Sequence, residues 1–274
     1  MSSPILQRNN VKLTGNGDRT IVFGHGFGCD QNMWRHVAPA FEKDYRVVLF
    51  DYVGCGRSDR NAYDPDRYGR IEGYRDDLLE VLEALGLRDI TFVGHSISAS
   101  IGMLAAVEQP LRFSNLIMLG PSPCFVNHPP EYQGGFDRQD IEGLLEIMDK
   151  NFLGWANMLA PMVMGRANEP GLSDELEVSI CSTDPEVIRR FAQVTFLSDV
   201  REYVPKVPVP ALILQCSEDI IAPPTVGEYL AARMPKGKLV RMEATGHCPH
   251  MSHPQETIDL IRSYLDAPGP HFGQ

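Results

Sequence analysis

The sequence predicts an α/β protein with a mostly parallel sheet that is covered by helices on both faces. Short apolar or β-branched runs alternate with longer segments whose apolar residues recur at three- and four-residue steps. This alternation breaks once, between about 121 and 208, where helical patterns occur without a convincing strand. With 274 residues, of which 43% are hydrophobic, the chain is long enough for one large core. We therefore expect a single doubly covered sheet with a helical insertion.

Six runs are predicted to form the strands, because each is short, rich in apolar or β-branched residues and bounded by turn residues. They are 20–23, 46–50, 90–93, 116–119, 211–216 and 238–242. Between the second and third of these strands, one apolar helix face is formed by Tyr74, Leu78, Val81, Leu82 and Leu85. A last helix is expected to begin at Pro254 and to bury Ile258, Ile261 and Leu265. Both helices are predicted to cover the sheet.

The insertion divides the chain into a core and a lid. We assign 1–120 and 208–267 to the core, 121–207 to the helical lid, and 268–274, which is rich in Pro and Gly, to a flexible tail. The lid carries large apolar side chains, among them Phe125, Phe136, Trp155, Leu159 and Phe196. Folded over the carboxyl edge of the sheet, the lid would bury them and cover a pocket. Each of them could line that pocket or only pack the lid onto the core.

Composition argues against several classes of partner. The chain has 36 acidic and 25 basic residues, a net charge of -11, which repels nucleic acids and anionic membranes. No basic and apolar leader and no apolar run of about 18 residues is present, which predicts a cytoplasmic location. The six cysteines stand singly without C-x-x-C spacing, so we expect reduced thiols and neither a zinc knuckle nor a disulfide framework.

Residues 91–99 resemble a nucleophile elbow, a tight strand-to-helix turn that lifts one hydroxyl above the sheet. An apolar strand ends in Gly94, His95 follows, and Ser96 stands before small residues with a helical pattern. Ser98 occupies the last position of the G-x-S-x-G pattern, where a small side chain is a mild departure from glycine. Ser96 is the predicted nucleophile, and the alternative is a serine that only caps the helix.

The glycine-rich loop Gly24-His25-Gly26-Phe27-Gly28 follows the first buried strand. Such a loop can aim a backbone amide at the oxygen that becomes negatively charged when an acyl group is attacked. The predicted oxyanion donors are the amides of Phe27 and Ile97, and the second of these also begins a helix. The alternative is a glycine turn with a purely steric role.

Two later loops could complete the catalytic group. Ser217-Glu218-Asp219 follows the fifth predicted strand, and Asp219 is the preferred acid, with Glu218 as its competitor. Gly246-His247 follows the last strand. The chain order Ser, Asp, His is the order expected of a fold that carries such an elbow. His247 would take the proton of Ser96, while Asp219 would orient the imidazole and stabilise its charged form.

Other motifs suggest cofactors only weakly. His247, His250 and His253 recur at three-residue steps, but Pro249 and Pro254 disfavour a helix that presents them on one face, so no metal is expected. His250 and His253 are interpreted as structural or capping residues. The G-x-G at 54–56 lacks the third glycine and the helix of a dinucleotide loop, and we interpret it as a loop that fixes a strand end. No cofactor is expected.

Taken together, these segments resemble the α/β-hydrolase superfamily over nearly the whole chain. More closely, the chain resembles the RsbQ-type hydrolases of the bacterial sigma-B stress pathway, relatives of plant strigolactone and karrikin receptors. The similar stretches are 26–31, 49–54, 120–124, 181–185 and 243–254. The resemblance implies an α/β-hydrolase fold with a V-shaped four-helix lid at about 130–198 over a small apolar cavity, and a triad of Ser96, Asp219 and His247. It also implies that the protein activates a PAS-domain phosphatase of the PP2C type, like RsbP, after hydrolysing or sensing a small hydrophobic molecule.

The sequence therefore predicts a cytoplasmic serine hydrolase acting on a small hydrophobic ester or lactone. The predicted substrate-binding residues are Phe27, His95, Phe125, Phe136, Trp155, Leu159 and Phe196. The alternative function is a receptor for a small ligand that turns over slowly, or not at all, and signals through its lid. A haloalkane dehalogenase or a peroxidase of the same fold is disfavoured, because the predicted nucleophile is serine rather than aspartate.

Overall fold

A seven-stranded sheet forms the centre of the computed structural model, which describes residues 3–165 and 169–267. Its strands are Lys12–Thr14 (β1), Arg19–Gly24 (β2), Tyr45–Leu49 (β3), Ile90–His95 (β4), Phe113–Leu119 (β5), Ala211–Gln215 (β6) and Gly237–Arg241 (β7). The order across the sheet is β1-β3-β2-β4-β5-β6-β7, with β1 antiparallel and the other pairs parallel. The predicted fold class and all six predicted strands are confirmed. β1 was not predicted, because its three residues are exposed and carry no strand pattern.

Helices cover this sheet and build the insertion. They are Pro4–Arg8 (α1), Ile71–Ala84 (α2), Ile97–Glu108 (α3), Arg138–Lys150 (α4), Phe152–Met164 (α5), Pro170–Ser182 (α6), Pro185–Leu197 (α7), Pro224–Arg233 (α8), Pro249–Ser252 (α9) and Pro254–Leu265 (α10). α2 buries Tyr74, Leu78, Val81 and Leu82 as predicted, and Leu85 lies just past its end. α10 begins at Pro254, also as predicted.

The parallel register brings the carboxyl ends of six strands, β2 to β7, to one edge of the sheet. Gly24 pairs with Gly94, and His95 pairs with Leu119. Leu119 pairs in turn with Leu214 on β6. β2 beyond its first residue, β4 and β6 are buried throughout, as expected of parallel strands covered on both faces. The loops that follow these strands therefore meet at one edge, where parallel sheets bind ligands.

The lid consists of helices α4 to α7, between β5 and β6. These four helices lie inside the stretch assigned to the lid from the sequence and match the number that the family resemblance implies. Local signals delimit them: the Asn151 side chain accepts a hydrogen bond from the Gly154 amide (3.0 Å) at the start of α5, and Asp184 caps α7 through the Glu186 amide (2.9 Å). The tail predicted at 268–274 lies outside the described residues.

The G-x-G loop after β3 is held by the Asp51 carboxylate. This side chain accepts hydrogen bonds from the amides of Gln31 and Arg57, both at 2.9 Å. Gly56 has φ +53°, and a Cβ there would lie 2.6 Å from Asp51 Oδ2. Glycine is therefore needed for a turn that wraps a carboxylate, and the loop fixes a strand end as the sequence indicated.

Two further expectations concern the whole chain. All six cysteines are free, as expected. In residues 3–165 and 169–267, none of the helices has the length and apolar character that crossing a bilayer requires.

Candidate active site

Ser96 occupies a strained turn between β4 and α3. Its backbone has φ +54° and ψ -121°, a region that residues other than glycine rarely adopt. The Ser96 amide donates to the Leu119 carbonyl of the neighbouring strand at 2.9 Å. A Cβ at Gly94 would lie 2.6 Å from the carbonyl carbon of Ser98, so only glycine lets the helix fold back this closely onto the strand. This geometry is that of a nucleophile elbow, with strain concentrated at one residue.

Ser98, the departure from the strict elbow pattern, connects α3 to the glycine-rich loop. Its hydroxyl donates to the His25 carbonyl and is also hydrogen-bonded to the Tyr52 hydroxyl (2.9 Å). The side chain is fully buried, and both contacts reach chain segments that follow other strands. Serine therefore fits at this position and anchors the loop that carries Phe27.

Asp219, His247 and Ser96 form one continuous hydrogen-bonded chain. Asp219 Oδ2 lies 2.7 Å from His247 Nδ1, and His247 Nε2 lies 2.8 Å from Ser96 Oγ. The other carboxylate oxygen of Asp219 accepts from the amides of Ile221 and Ala222 at 2.8 and 3.0 Å. Glu218, the competing acid, is exposed. The three side chains that the sequence proposed are thus brought together, each no more than 6% exposed.

The loops that carry Asp219 and His247 are paired with each other. The Ser217 amide donates to the Ala244 carbonyl at 3.0 Å, and the Gly246 amide donates to the Glu218 carbonyl at 2.7 Å. Gly246 has φ +81°, which lets the chain turn directly before His247. These two backbone hydrogen bonds therefore fix the loops of the acid and the base relative to each other, in addition to the hydrogen bond between their side chains.

The backbone of His247 is held from two sides. Its amide donates to the carbonyl of Val163, in the last turn of lid helix α5, at 2.7 Å. Its carbonyl lies 2.8 Å from His95 Nε2, and since a carbonyl can only accept, His95 carries its proton on Nε2. Burial lowers the pKa of His95 well below its ordinary value, which keeps its ring neutral. His95 therefore acts as a support for His247 as well as a wall of the pocket.

The loop between β2 and the first 3₁₀ turn carries Phe27, which lines the same cavity as Ser96. Gly28 has φ +72°, and a Cβ at Gly26 would lie 2.4 Å from His95 Nδ1, so a larger residue at either position would displace the loop. The amides of Phe27 and Ile97 donate no hydrogen bond to another backbone group among the described residues. Both amides are therefore available to a ligand oxygen.

A small cavity lies between the triad and the lid. The volume that the centre of a water molecule can occupy is about 30 Å³. A cavity of this size has room for about two water molecules. Its walls are Phe27, His95, Ser96, Phe125, Leu159, Val163, Leu176, Ile180, Thr195, Phe196, Ile221, His247 and Cys248. Because the space is so small, we expect a substrate larger than a few atoms to require movement of the side chains that line it.

Five of the seven residues predicted to bind substrate line this cavity: Phe27, His95, Phe125, Leu159 and Phe196. Trp155 and Phe136 do not, which corrects the prediction. Trp155 is fully buried behind Phe27, with their ring centroids 6.2 Å apart. Phe136 lies before α4, where its amide donates to the Phe125 carbonyl at 3.1 Å. Both side chains pack the lid and do not face the cavity.

The sequence analysis did not identify several lining residues. Val163 lies four positions after Leu159 on α5, and Leu176 and Ile180 show the same spacing on α6. This periodicity could have revealed them, because residues four apart share a helix face. Thr195 and Cys248 had no such signal.

Two groups of side chains have the composition of metal sites. The ligand atoms of His95, Cys248 and His250 lie within 4.8 Å of one another, as do those of Cys124, His128 and Asp199. Burial raises the pKa of the Cys248 thiol well above its ordinary value, which opposes formation of the thiolate that binds metals. In the second group, Asp199 is already paired with Arg201 at 2.8 Å. We therefore assign no metal-binding role to either group.

His250 is predicted to make the protein sensitive to acid. Its ring is fully buried against Trp34 (centroids 4.7 Å apart), and neither ring nitrogen has a hydrogen-bond partner among the described residues. Burial lowers the pKa of His250 from 6.5 to about 3. Between these values the unfolded chain takes up a proton that the folded protein refuses, so stability falls as pH falls, by about 1.4 kcal/mol per pH unit.

Urea unfolding at a series of pH values measures this contribution. His250→Phe removes the titrating ring but keeps an aromatic side chain, and it is expected to reduce the acid slope of the unfolding free energy by that amount. The exposed His36 provides the control, and His36→Gln is expected to retain the wild-type slope. Equal slopes for His250→Phe and wild type would contradict the assignment.

Comparisons with known proteins agree with this geometry. Residues 21–260 match the model of the alpha/beta hydrolase family. Karrikin insensitive 2 receptor IA of Petunia hybrida is 37% identical over 93% of this chain and 93% of that protein. Strigolactone esterase RMS3 of Pisum sativum is 37% identical over 93% and 95%. The structure of a hydrolase from Oleispira antarctica matches with a TM-score of 0.95 and 44% identity, over 97% of each chain. The chain therefore belongs to the α/β-hydrolase family and is a hydrolase.

Proposed function

We propose that the protein is a serine hydrolase in which Ser96 attacks the carbonyl of a small hydrophobic ester or lactone. The observation that supports this most directly is the unbroken chain of hydrogen bonds from Asp219 through His247 to Ser96, at 2.7 and 2.8 Å. An isolated serine hydroxyl is a weak nucleophile, and a neutral imidazole at this distance can take its proton. The strained backbone of Ser96 holds the hydroxyl in the cavity.

The reaction proceeds in two halves. As Ser96 Oγ bonds to the carbonyl carbon, its proton moves to His247 Nε2, and the carboxylate of Asp219 stabilises the imidazolium. The amides of Phe27 and Ile97 donate to the oxyanion. The proton of His247 then passes to the leaving alcohol as the acyl–oxygen bond breaks. In the second half, water attacks the acyl carbon as it gives a proton to His247 Nε2. The bond between the acyl carbon and Ser96 Oγ then breaks as His247 returns the proton to Oγ, which releases the acid and regenerates the Ser96 hydroxyl.

The walls of the cavity favour a small and largely apolar substrate. Phenylalanine and aliphatic side chains form most of the lining, and the chain's acidic excess, with its net charge of -11, disfavours polyanionic ligands. Relatives at 37% identity are named as a strigolactone esterase and as a karrikin insensitive 2 receptor. Phe27, Phe125, Leu159 and Phe196 are the side chains proposed to contact the hydrophobic part of the substrate.

We also propose a signalling role in a stress pathway. The resemblance to RsbQ-type proteins supports a PAS-domain phosphatase of the PP2C type as the partner that the protein activates. A cytoplasmic location, expected from the sequence, would bring the two together. Co-purification of such a phosphatase with the protein, and its activation in a ligand-dependent manner, is the measurement that tests this role.

A ligand receptor that turns over slowly is the second candidate function. The contact that favours it is the 2.7 Å hydrogen bond from the His247 amide to Val163 of the lid. Any lid movement that breaks this bond also disturbs the base of the triad. The state of the ligand at Ser96 could therefore be transmitted to the outer surface of the lid.

Labelling with a fluorophosphonate probe tests the proposed nucleophile. We expect one label per chain, located at Ser96 by mass spectrometry of the digested protein, because the probe reacts with activated serine hydroxyls. Turnover of p-nitrophenyl butanoate distinguishes the two functions: continuous release indicates an enzyme, and a single equivalent per chain indicates a receptor. A folded protein that carries no label at Ser96 would refute the serine hydrolase and the receptor that turns over slowly.

A further inference from the structure

Thr195 places a hydroxyl without a partner at the wall of the cavity. The residue lies in the last turn of α7, is 2% exposed, and lines the cavity together with Ser96 and His247. Its Oγ1 is buried and makes no hydrogen bond with any described residue. Among the described residues of the lining, Ser96 and Thr195 are the only ones that carry a hydroxyl.

This arrangement is unusual for a threonine in a helix. The hydroxyl of a helical threonine commonly bonds to the carbonyl one turn back, and the Phe191 carbonyl stands at that position. A buried hydroxyl without a partner destabilises the fold, whereas valine would fill the same volume without that cost. Packing alone therefore favours valine at this position, and the hydroxyl needs another explanation.

We propose that Thr195 binds a second oxygen of the substrate, away from the carbonyl that Ser96 attacks. This inference rests on the proposed hydrolase function and defines its substrate class as a short ester or lactone that carries a ketone, ether or hydroxyl oxygen besides the scissile group. A hydroxyl can donate to such an oxygen or accept from it. The remaining walls, such as Phe125, Leu159 and Ile180, offer only apolar contact.

Discrimination against plain hydrocarbon substrates follows from this pairing. A hydrocarbon acyl chain would leave the Thr195 hydroxyl unpaired, whereas an oxygenated chain would give it a partner, and a buried site built to hydrogen-bond a ligand rejects an analogue without the polar group. The contact forms equally in the bound substrate and in the transition state, because it is remote from the reacting carbonyl. Its loss should therefore raise KM and leave kcat almost unaffected for the oxygenated substrate.

Matched ester pairs test the proposal. Methoxyacetate has an ether oxygen where butanoate has a methylene, and levulinate carries a ketone that pentanoate lacks. The kcat/KM of each p-nitrophenyl ester is measured for wild type and for Thr195→Val. For each protein, the value for the oxygenated ester is divided by the value for its hydrocarbon partner. Differences in intrinsic reactivity between the esters cancel when this ratio is compared between the two proteins. For at least one pair, we expect the ratio to fall about tenfold in Thr195→Val, through KM.

Two variants control for indirect effects. Thr195→Ser keeps the hydroxyl and should retain most of the wild-type ratio. Thr257→Val removes another buried hydroxyl, one that donates to the His253 carbonyl outside the cavity (3.1 Å), and should leave the ratio unchanged. Ratios within twofold of wild type for both ester pairs in Thr195→Val would overturn the proposal.

Thermal unfolding separates a ligand-binding role from a structural one. Because valine removes an unpaired buried hydroxyl, Thr195→Val should raise Tm by about 2 °C or more. A lowered Tm, or failure of the variant to fold, would show that the hydroxyl stabilises the protein and would overturn the proposal.

Binding to Ser96→Ala keeps this test independent of catalysis. We expect methyl levulinate to bind more tightly than methyl pentanoate in an NMR titration, and Thr195→Val on the same background to abolish the difference. If wild type hydrolyses no ester but this preference is seen, the proposed function fails while the role of Thr195 stands. If esters are hydrolysed but neither protein shows a preference, only the role of Thr195 is refuted.

Discussion

Ser96→Ala is expected to lower kcat for p-nitrophenyl butanoate by about 10⁴- to 10⁶-fold. The substitution removes the hydroxyl that forms the covalent intermediate, and His247 then has no proton to take. A residual rate above that of water should persist, because the cavity and the amides of Phe27 and Ile97 still bind the substrate and its oxyanion. Initial rates at saturating ester concentration measure the loss.

Ser100→Ala is the matched control for this prediction. Ser100 lies on the same helix, is buried, and donates to the Ser122 carbonyl at 2.8 Å, so its removal tests whether any serine lost from α3 has the same effect. We expect kcat to change less than about threefold, together with a modest loss of stability. If Ser96→Ala were folded and hydrolysed the ester as fast as wild type, the nucleophile would have to be another group.

Asp219→Asn is expected to lower kcat by about 10⁴-fold while the fold is retained. The amides of Ile221 and Ala222 donate to one oxygen of this side chain, so they would hold the carbonyl of asparagine and turn its amide nitrogen toward His247. That nitrogen donates, so Nδ1 would have to accept and the imidazole proton would move to Nε2. An imidazole protonated at Nε2 cannot take the proton of Ser96.

The neighbouring acid supplies the comparison for this variant. Glu218 is exposed, and its side chain makes no hydrogen bond or ion pair with a described residue. Glu218→Gln should therefore leave kcat close to that of wild type, and circular dichroism should show both variants folded. If Glu218→Gln lost as much activity as Asp219→Asn, the acid of the triad would have been assigned to the wrong residue.

Local patterns predicted much of this protein because they reflect local physics. Parallel strands that are covered on both faces must be apolar throughout, so β2, β4 and β6 were recognisable as short continuous runs. The elbow required glycine at 94, where a Cβ would lie 2.6 Å from Ser98, and that requirement is visible as a motif. β1 was not predicted, because it is only three residues long and all three are exposed.

The pocket could be predicted only in part, because its lining depends on how helices pack. Trp155 and Leu159 share one face of α5, yet only Leu159 lines the cavity, and the Trp155 ring packs edge-on against that of Phe27. The Thr195 hydroxyl has no hydrogen-bond partner among the described residues, and that depends on the groups packed around it in the folded protein, which a sequence cannot display.

The amino-acid sequence by itself determined the doubly covered parallel sheet, the order of Ser96, Asp219 and His247 along the chain, and the glycines that their turns need. Tertiary structure alone decided that Asp219 and not Glu218 faces the imidazole, that Val163 of the lid holds the backbone of His247, and that about 30 Å³ remains beside Ser96. The reason is physical. Strand and turn preferences depend on neighbours along the chain, whereas burial, cavity volume and hydrogen bonds between distant loops depend on segments more than a hundred residues apart, such as Ser96 and His247, separated by 151 positions.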